Sequence, residues 1–195
     1  MTTDPSRTDP SHIVIVGASA AGVTTAASLR RNGYDRDITL INAEEHRPYD
    51  RPPMSKHLLS GEWDAERLLL KSDADLEELA VGIRSGVSVT GVDVAARRVT
   101  LGDDGELAFD RLVIATGVAP RTLPHSSVAG VFTLRTLDDA LALQSELLPG
   151  RRLVVVGGGF LGTEVAATAA GLGVDVMIVS GTATLLERSL GSAVG

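Results

Sequence analysis

The chain has 195 residues, of which 44% are hydrophobic and 21 are glycine, and its formal net charge is −7. This composition is typical of α/β proteins with many strand-to-helix turns. The acidic balance, with scattered basic residues, argues against nucleic acid or an anionic membrane as a partner. Because the chain contains no cysteine, it can form neither a disulfide framework nor a Cys-x-x-Cys redox pair.

No segment has the features of a targeting signal or a membrane anchor. Residues 1–11 are polar and contain proline, and we expect them to form a disordered tail. The longest apolar stretch, residues 153–178, includes Glu164, Asp175 and several glycines, which argues against a membrane span. The four histidines lack the spacing of metal ligands. The sequence therefore predicts a cytoplasmic protein without a metal site.

The first predicted unit consists of a strand, a glycine turn, a helix and a second strand. His12–Val16 is a short β-branched run of the kind that is buried on both faces of a parallel sheet. The turn Gly17–Gly22 follows, and the helix after it extends to about Arg31, where asparagine and glycine provide a stop signal. Residues 38–42 form the second buried strand. Together these segments predict a βαβ unit.

The middle of the chain is predicted to mix helices with short strands. Residues 43–63 begin as an irregular segment and become helical from about Met54. A helix over residues 74–80 follows, then three short antiparallel strands and one buried strand. The predicted strands cover residues 87–92, 98–101, 107–109 and 111–115.

The second half of the chain repeats the first pattern. Residues 120–130 are rich in proline and small residues and predict a linker, and a short strand (131–134) and a helix (137–148) come next. A strand (153–156), a glycine turn, a helix and a strand (174–179) then reproduce the order of residues 13–42, and residues 183–190 begin another helix. The predicted fold class is α/β, with two Rossmann-like domains on parallel sheets, 12–119 and 120–195, of which the second is incomplete.

Both glycine turns have the spacing of a dinucleotide-binding turn. A strand that runs directly into a helix points the free N–H groups and the positive end of the helix dipole beyond the strand, which favours a pyrophosphate. The first glycine permits the turn, the second lets a phosphate approach, and the third lets helix and strand pack closely. In the first turn Ser19 holds the second position, where its hydroxyl can donate to a phosphate. The cofactor-binding candidates are Gly17, Ser19, Ala20, Ala21 and Gly22 in the first turn, and Gly157, Gly159, Phe160, Leu161 and Gly162 in the second.

An acidic residue after the second strand of such a unit usually binds the adenosine ribose. A carboxylate accepts hydrogen bonds from both ribose hydroxyls and repels a 2′-phosphate. We assign this role to Glu44 in the first unit, whereas Ser180 occupies the equivalent place in the second unit. Serine neither binds the ribose as a carboxylate does nor repels a phosphate. The second site is therefore predicted to tolerate NADPH as well as NADH.

Several segments together resemble one family. Residues 49–56, YDRPPMSK, resemble the Arg-Pro-Pro-Leu-Ser-Lys signature of the FAD-dependent, NAD(P)H-using ferredoxin reductases that serve oxygenases and cytochromes P450. Residues 110–117 resemble the family's Ala-Thr-Gly strand, and residues 134–140 and 158–167 match in order and spacing. The similarity extends from His12 to Gly195.

The resemblance implies an enzyme that passes electrons from NAD(P)H through FAD to a ferredoxin-type iron–sulfur protein. It pairs Lys56 with Glu164 near the nicotinamide, and these two residues are the catalytic candidates, with Lys56 stabilising negative charge on the reduced flavin. The alternative is an ordinary surface lysine and a helix-terminal acid favoured by the dipole. The FAD contacts implied outside the first glycine turn are Glu44, Arg51, Lys56, Val89 through its backbone, Ala115, Thr116, Gly117 and Arg135, while Glu164 and Ser180 complete the NAD(P) set.

The chain also departs from the family pattern. Ala43 stands where the family commonly has aspartate, and Ser180 stands where it commonly has glutamate. Family members continue well beyond residue 195, so we expect this chain to be a truncated member. Two alternatives remain open: a catalytically inactive nucleotide-binding fragment, and a related flavoprotein reductase with another acceptor, such as a rubredoxin or a quinone.

Overall fold

The computed structural model describes residues 10–124 and 128–194. The chain divides into two compact units, of which the first contains the residues up to Tyr49 together with Leu69–Val118, and the second contains Asp50–Leu68 together with the residues from Ala119 onward. That residues 12–119 and 120–195 form two domains, each with its own cofactor site, stays a prediction. Of the predicted tail, residues 1–9 lie outside the described residues, and Ser11 donates its backbone N–H to Asp110.

A four-stranded parallel sheet lies at the centre of the first unit. The elements of this unit in chain order are β1 (His12–Val16), α1 (Ala20–Arg31), β2 (Asp37–Ile41), α2 (Asp73–Glu78), β3 (Gly82–Arg84), β4 (Val89–Asp93), β5 (Arg98–Leu101), β6 (Glu106–Ala108) and β7 (Arg111–Ile114). The order of the parallel sheet is β3-β2-β1-β7, and Ile13 lies opposite Ile38 across the β1–β2 pair. Three further strands form a separate antiparallel ribbon in the order β4-β5-β6. The predicted βαβ unit and antiparallel strands are confirmed.

Both faces of this parallel sheet are buried, as the β-branched sequence of β1 predicts. Successive side chains of a strand point to opposite faces, so Ile13 and Ile15 pack in one cluster with Ala26 of α1. Val14 and Val16 pack in another cluster, with Val99 and Leu101 of the antiparallel ribbon. The four β1 side chains from Ile13 to Val16 therefore hold the sheet between α1 and the ribbon, and this packing fixes the carboxyl end of β1.

Two details of the first unit differ from the predictions. Strand β3 was not predicted, because three residues at a sheet edge with one inward-facing apolar side chain, Ile83, are too short for a periodic pattern. Helix α2 begins one residue earlier than predicted, since its cap is Ser72 rather than the acids that follow. Ser72 and Asp75 form a reciprocal capping box, in which each side chain accepts from the other residue's backbone N–H.

The second unit is built on a two-stranded parallel sheet. Its elements in chain order are a π-helical turn (Met54–Leu58), a 3-10 turn (Ala65–Leu68), α3 (Leu137–Glu146), β8 (Arg152–Val156), α4 (Phe160–Gly171), β9 (Asp175–Val179) and α5 (Glu187–Leu190). Strands β8 and β9 pair with Leu153 opposite Val176, and α4 connects them, which confirms the predicted repeat. A core cluster joins Leu143 of α3 and Leu147, the C-cap of that helix, to Val165 and Ala169 of α4, and it includes Leu59.

One face of the β8–β9 sheet carries exposed apolar side chains. Val154, Val156, Met177 and Val179 are each about half exposed, whereas Leu153, Val155 and Val176 on the other face pack into the core cluster. Parallel sheets are normally covered on both faces. Within the described part of the chain, this sheet is covered on one face only.

The predicted strand over residues 131–134 is wrong. These residues form a loop that leads to Thr136, the residue that caps α3. A strand requires a neighbour to satisfy its backbone groups, and in the described part of the second unit β8 and β9 pair with each other alone. Helix α5 also starts later than predicted, at Glu187, after Leu186 adopts a left-handed conformation. Among the described helices, none is both long enough and apolar enough to cross a membrane.

Candidate functional site

The first glycine turn is held tightly against the end of β7. Gly17 has a φ of +109°, and a side chain there would overlap the carbonyl oxygen of Ala115. A side chain at Gly22 would overlap the carbonyl oxygen of Gly17, so α1 can approach the turn only because position 22 is glycine. The backbone N–H of Ala115 donates to Val16 at 2.8 Å. The fold therefore places the first turn beside Ala115 and Thr116, at the carboxyl edge of the sheet, and the predicted contact residue Gly117 follows them in the chain.

The N-terminus of α1 has the features of an anion site. Ser19 is the N-cap residue with an extended backbone, and its side chain makes no capping hydrogen bond. The Ser19 hydroxyl is thus not engaged in capping α1. The first turn of α1 contains no acidic residue, and its Ala20 and Ala21 are exposed. Because the first N–H groups of a helix have no partner within it, this end fits a pyrophosphate, as FAD or NAD(P) would present.

Glu44 lies at the same edge of the first unit, after β2. The hydroxyl of Tyr49 donates to Glu44 Oε2 at 2.5 Å, and the backbone oxygen of Glu44 accepts from Gly86 at 3.1 Å. The Tyr49 side chain is only 3% exposed, so it is a fixed donor that orients the carboxylate. Tyr49 begins the YDRPPMSK segment, but the sequence alone indicates no role for it. Val89, the predicted adenine contact, is the first residue of β4, and the β4–β5 register shifts between Val89 and Gly91.

A charged cleft of about 270 Å³ lies in the second unit. Its walls include the side chains of Arg51, Lys56, Arg135 and Glu164, all of which the sequence analysis singled out. The guanidinium of Arg51 donates to the backbone oxygen of Arg135, and the backbone N–H of Arg135 donates to Asp139 at 2.9 Å. Four predicted site residues from distant parts of the sequence are therefore neighbours.

Lys56 and Glu164 form an ion pair in this cleft. The ammonium of Lys56 lies 2.7 Å from Glu164 Oε2. The hydroxyl of Ser55 donates to the same oxygen at 2.6 Å. These hydrogen bonds, from Lys56 first and from Ser55 second, hold the pKa of Glu164 below its ordinary value. Glu164 is therefore an ionised carboxylate at neutral pH, and the pairing that the sequence analysis predicted is present in the structure.

The second glycine turn repeats the geometry of the first. Gly157 has a φ of +127°, and a side chain at Gly162 would overlap the carbonyl oxygen of Gly157. Gly159 is the N-cap of α4, and the space where its Cβ would lie is open. The first residues of α4, Phe160 and Leu161, are about half exposed. This helix end thus also leaves its N–H groups accessible to a phosphate.

Ser180 lies directly against the second glycine turn. A Cβ at Gly158 would come within 2.7 Å of Ser180 Oγ. Ser180 Oγ and Thr182 Oγ1 are 2.8 Å apart, and Thr182 Oγ1 donates onward to the backbone oxygen of Thr184. Since the Thr182 hydroxyl has one proton, Ser180 is the donor in this pair. Ser180 is therefore close to the expected ribose position, but its proton is already engaged.

Comparison with known proteins gives one consistent result. Residues 11–195 match the family model "Pyridine nucleotide-disulphide oxidoreductase". The ferredoxin–NAD(+) reductase component of the p-cumate 2,3-dioxygenase system of Pseudomonas putida is 44% identical over 95% of this chain and 46% of its own length.

Solved structures agree with the sequence relatives. The putidaredoxin reductase in its covalent complex with putidaredoxin is 38% identical, with a TM-score of 0.86 over 91% of this chain and 44% of that one. A ferredoxin reductase from Rhodopseudomonas palustris is 33% identical, with a TM-score of 0.89 over 94% of this chain and 46% of that one. The chain thus spans less than half the length of these relatives. It has their Rossmann-like fold, and it belongs to the pyridine nucleotide-disulphide oxidoreductase family.

Proposed function

We propose that this chain provides the FAD- and NAD(P)-binding turns of a reductase that passes electrons from NAD(P)H through FAD to a ferredoxin-type iron–sulfur protein serving an oxygenase. The observation that carries the proposal is the repeated glycine turn. At both turns a side chain on the third glycine, Gly22 or Gly162, would overlap the carbonyl oxygen of the first glycine. Both turns lead into a 12-residue helix with no acid in its first turn. Two such anion sites fit two dinucleotides.

The relatives support the electron acceptor in this proposal. Reductase components of dioxygenase systems and a putidaredoxin reductase are 38–44% identical to this chain over more than nine-tenths of its length. A ferredoxin is therefore the acceptor that the similarity favours. A second candidate acceptor is a rubredoxin, because an NADH:rubredoxin oxidoreductase from Clostridium acetobutylicum is 28% identical with a TM-score of 0.80.

We place the protein in the cytoplasm, where NAD(P)H is available.

The residues of the chain bind and orient the cofactors in this proposal. The N–H groups at Gly17–Gly22 and Gly157–Gly162 bind the two pyrophosphates, and Glu44, oriented by Tyr49, binds a ribose. When bound, the flavin ring of FAD supplies the redox chemistry, as the link between a two-electron donor and a one-electron acceptor. Lys56 contributes positive charge beside the reacting rings, and the carboxylate of Glu164 keeps the Lys56 ammonium in place. No side chain is required as a nucleophile.

The coenzyme preference follows from Ser180 in this proposal. No carboxylate at this position repels a 2′-phosphate, and the Ser180 hydroxyl already donates to Thr182. Ser180 Oγ also accepts from the backbone N–H of Thr182 at 3.2 Å. The residue therefore offers the ribose little, and we expect NADH and NADPH to bind with similar affinity.

The visible absorption spectrum of the purified protein tests the first part of this proposal. The wild-type chain incubated with FAD and then desalted should be yellow. The Gly22→Val variant should be colourless, because its side chain separates α1 from the turn. A wild-type chain that takes up no FAD would contradict the proposal for this chain. For a yellow protein, NADH- and NADPH-driven reduction of cytochrome c should require an added ferredoxin, and a response to rubredoxin alone would select the second acceptor.

A further inference from the structure

Glu164 receives two hydrogen bonds on one oxygen, and the two donors differ in their surroundings. Ser55 Oγ and Lys56 Nζ lie 2.6 Å and 2.7 Å from Glu164 Oε2. Ser55 is 1% exposed, whereas the side chains of Lys56 and Glu164 are 43% and 37% exposed. One donor is thus buried and fixed in position, while the other is a flexible side chain that solvent and ligands can reach.

Ser55 is fixed by contacts from its backbone as well as from its side chain. It lies in the π-helical turn Met54–Leu58, where the backbone N–H of Leu59 donates to Met54 at 3.1 Å. The backbone oxygen of Ser55 accepts from the hydroxyl of Thr168 at 2.8 Å. Thr168 lies one helical turn after Glu164 on α4. Ser55 is therefore attached to α4 at two points, of which one is the Glu164 carboxylate.

We infer that Ser55 is a positioning residue that holds the Glu164 carboxylate in place independently of Lys56. An ammonium has three N–H donors, so Lys56 can turn toward a ligand in the cleft while Ser55 keeps Glu164 oriented. This role rests on the proposed function, in which the cleft receives the reacting rings of the two cofactors. Ser55 lies in the YDRPPMSK segment, but the sequence does not show that its hydroxyl contacts Glu164, because the two residues are 109 positions apart.

Several cations lie around Glu164, and a fixed neutral donor such as the Ser55 hydroxyl therefore helps to determine the position of its carboxylate. Three cations, Lys56, Arg51 and Arg135, line the cleft together with this carboxylate. Any of them can attract the carboxylate, and a flexible carboxylate would follow whichever cation is closest. A hydroxyl that donates from a buried turn gives the carboxylate one preferred position. The Ser55 hydrogen bond also contributes to the lowered pKa of Glu164.

The test is a pH titration of the Glu164 side-chain carboxyl carbon by NMR in the 195-residue chain without added cofactor. Removing a hydrogen bond to the charged form raises a pKa, so Ser55→Ala should shift the Glu164 midpoint upward. Ser55→Cys, which preserves the volume with a weak donor, should do the same, and Ser55→Thr should restore the wild-type midpoint. The double variant Ser55→Ala/Lys56→Met should have a higher midpoint than either single variant.

Thr168→Val is the matched control. It removes the hydrogen bond to the backbone of Ser55 but leaves the Ser55 and Glu164 side chains unchanged. Both Thr168→Val and Ser55→Ala should lower the melting temperature, but of these two variants only Ser55→Ala should move the Glu164 midpoint. An unchanged midpoint in Ser55→Ala and Ser55→Cys, or an equal shift in Thr168→Val, would overturn the inference.

The titration is separate from the test of the proposed function. It reports on Glu164 with no cofactor present. A Ser55 effect in a chain that does not take up FAD would contradict the function proposed for this chain, and with it the purpose given to Ser55. FAD uptake without a Ser55 effect would support the reductase and refute the positioning role. The two failures are therefore distinguished by two independent measurements on the same samples.

Discussion

Two glycines of α4 differ in the space around them, and this difference gives a quantitative prediction. A Cβ at Gly162 would lie 2.1 Å from the carbonyl oxygen of Gly157 and 3.3 Å from Val155 Cγ1. Real Cβ atoms essentially never come within 3.0 Å of another heavy atom, so Gly162→Ala must move the helix or the turn by at least about 0.9 Å. At Gly171, the last residue of the same helix, no atom lies within 4 Å of the Cβ position.

The expected energies have opposite signs at the two positions. Forcing extra atoms into a packed site costs about 1–3 kcal/mol, and the oxygen at Gly157 belongs to the backbone, so it cannot move aside by a side-chain rotation. The gain in helix propensity from Gly to Ala offsets up to about 1 kcal/mol. We expect Gly162→Ala to lose up to about 2 kcal/mol of unfolding free energy and Gly171→Ala to gain up to about 1 kcal/mol.

Urea unfolding measures this difference. The midpoint should fall for Gly162→Ala and stay equal or rise for Gly171→Ala, with an unchanged slope in both variants. NADH affinity should fall by about tenfold or more for Gly162→Ala alone, because a displaced N–H group loses a charge-assisted hydrogen bond of about 1.5–3 kcal/mol. Equal midpoints and equal NADH affinities for the two variants would refute the argument that the turn requires glycine at position 162.

Three further predictions concern single side chains. Ser180→Glu should shift the coenzyme preference toward NADH, measured as the ratio of NADH to NADPH dissociation constants, because a carboxylate repels the 2′-phosphate; an unchanged ratio would mean that position 180 does not face the ribose. Lys56→Met should raise the pKa of Glu164 and slow the reduction of bound FAD by NADH, and a rate equal to that of the wild type would contradict the proposed role of Lys56. Hydrogen bonds from Ser11 and from the backbone N–H of His12 lower the pKa of Asp110, so their stabilising effect is complete above the unfolded-state pKa and is lost as the pH falls through the folded-state pKa. Asp110→Asn should therefore lower the melting temperature at pH 7 and make it less sensitive to acid, and a melting curve with the wild-type acid dependence would contradict this account.

The sequence alone determined the two strand–turn–helix–strand units. Their strands are continuous β-branched runs, and each helix follows a glycine turn, so the pattern is local and readable within about 30 residues. The strand β1 was predicted with its observed ends, and α1 was predicted to end at Arg31, as it does. The glycine pattern also predicted that side chains are excluded at four positions of the two turns. These positions are Gly17, Gly22, Gly157 and Gly162.

The tertiary structure decided the features that depend on partners far away in the chain. Strand β3 exists because β2 offers an edge to three residues that carry no periodic signal of their own, and residues 131–134 remain a loop because the described strands offer them no pairing edge. The roles of Tyr49 and Ser55 likewise come from single hydrogen bonds to Glu44 and Glu164. Composition and periodicity describe what each segment prefers by itself, whereas these contacts depend on which segments the fold brings together, and only three-dimensional packing specifies that.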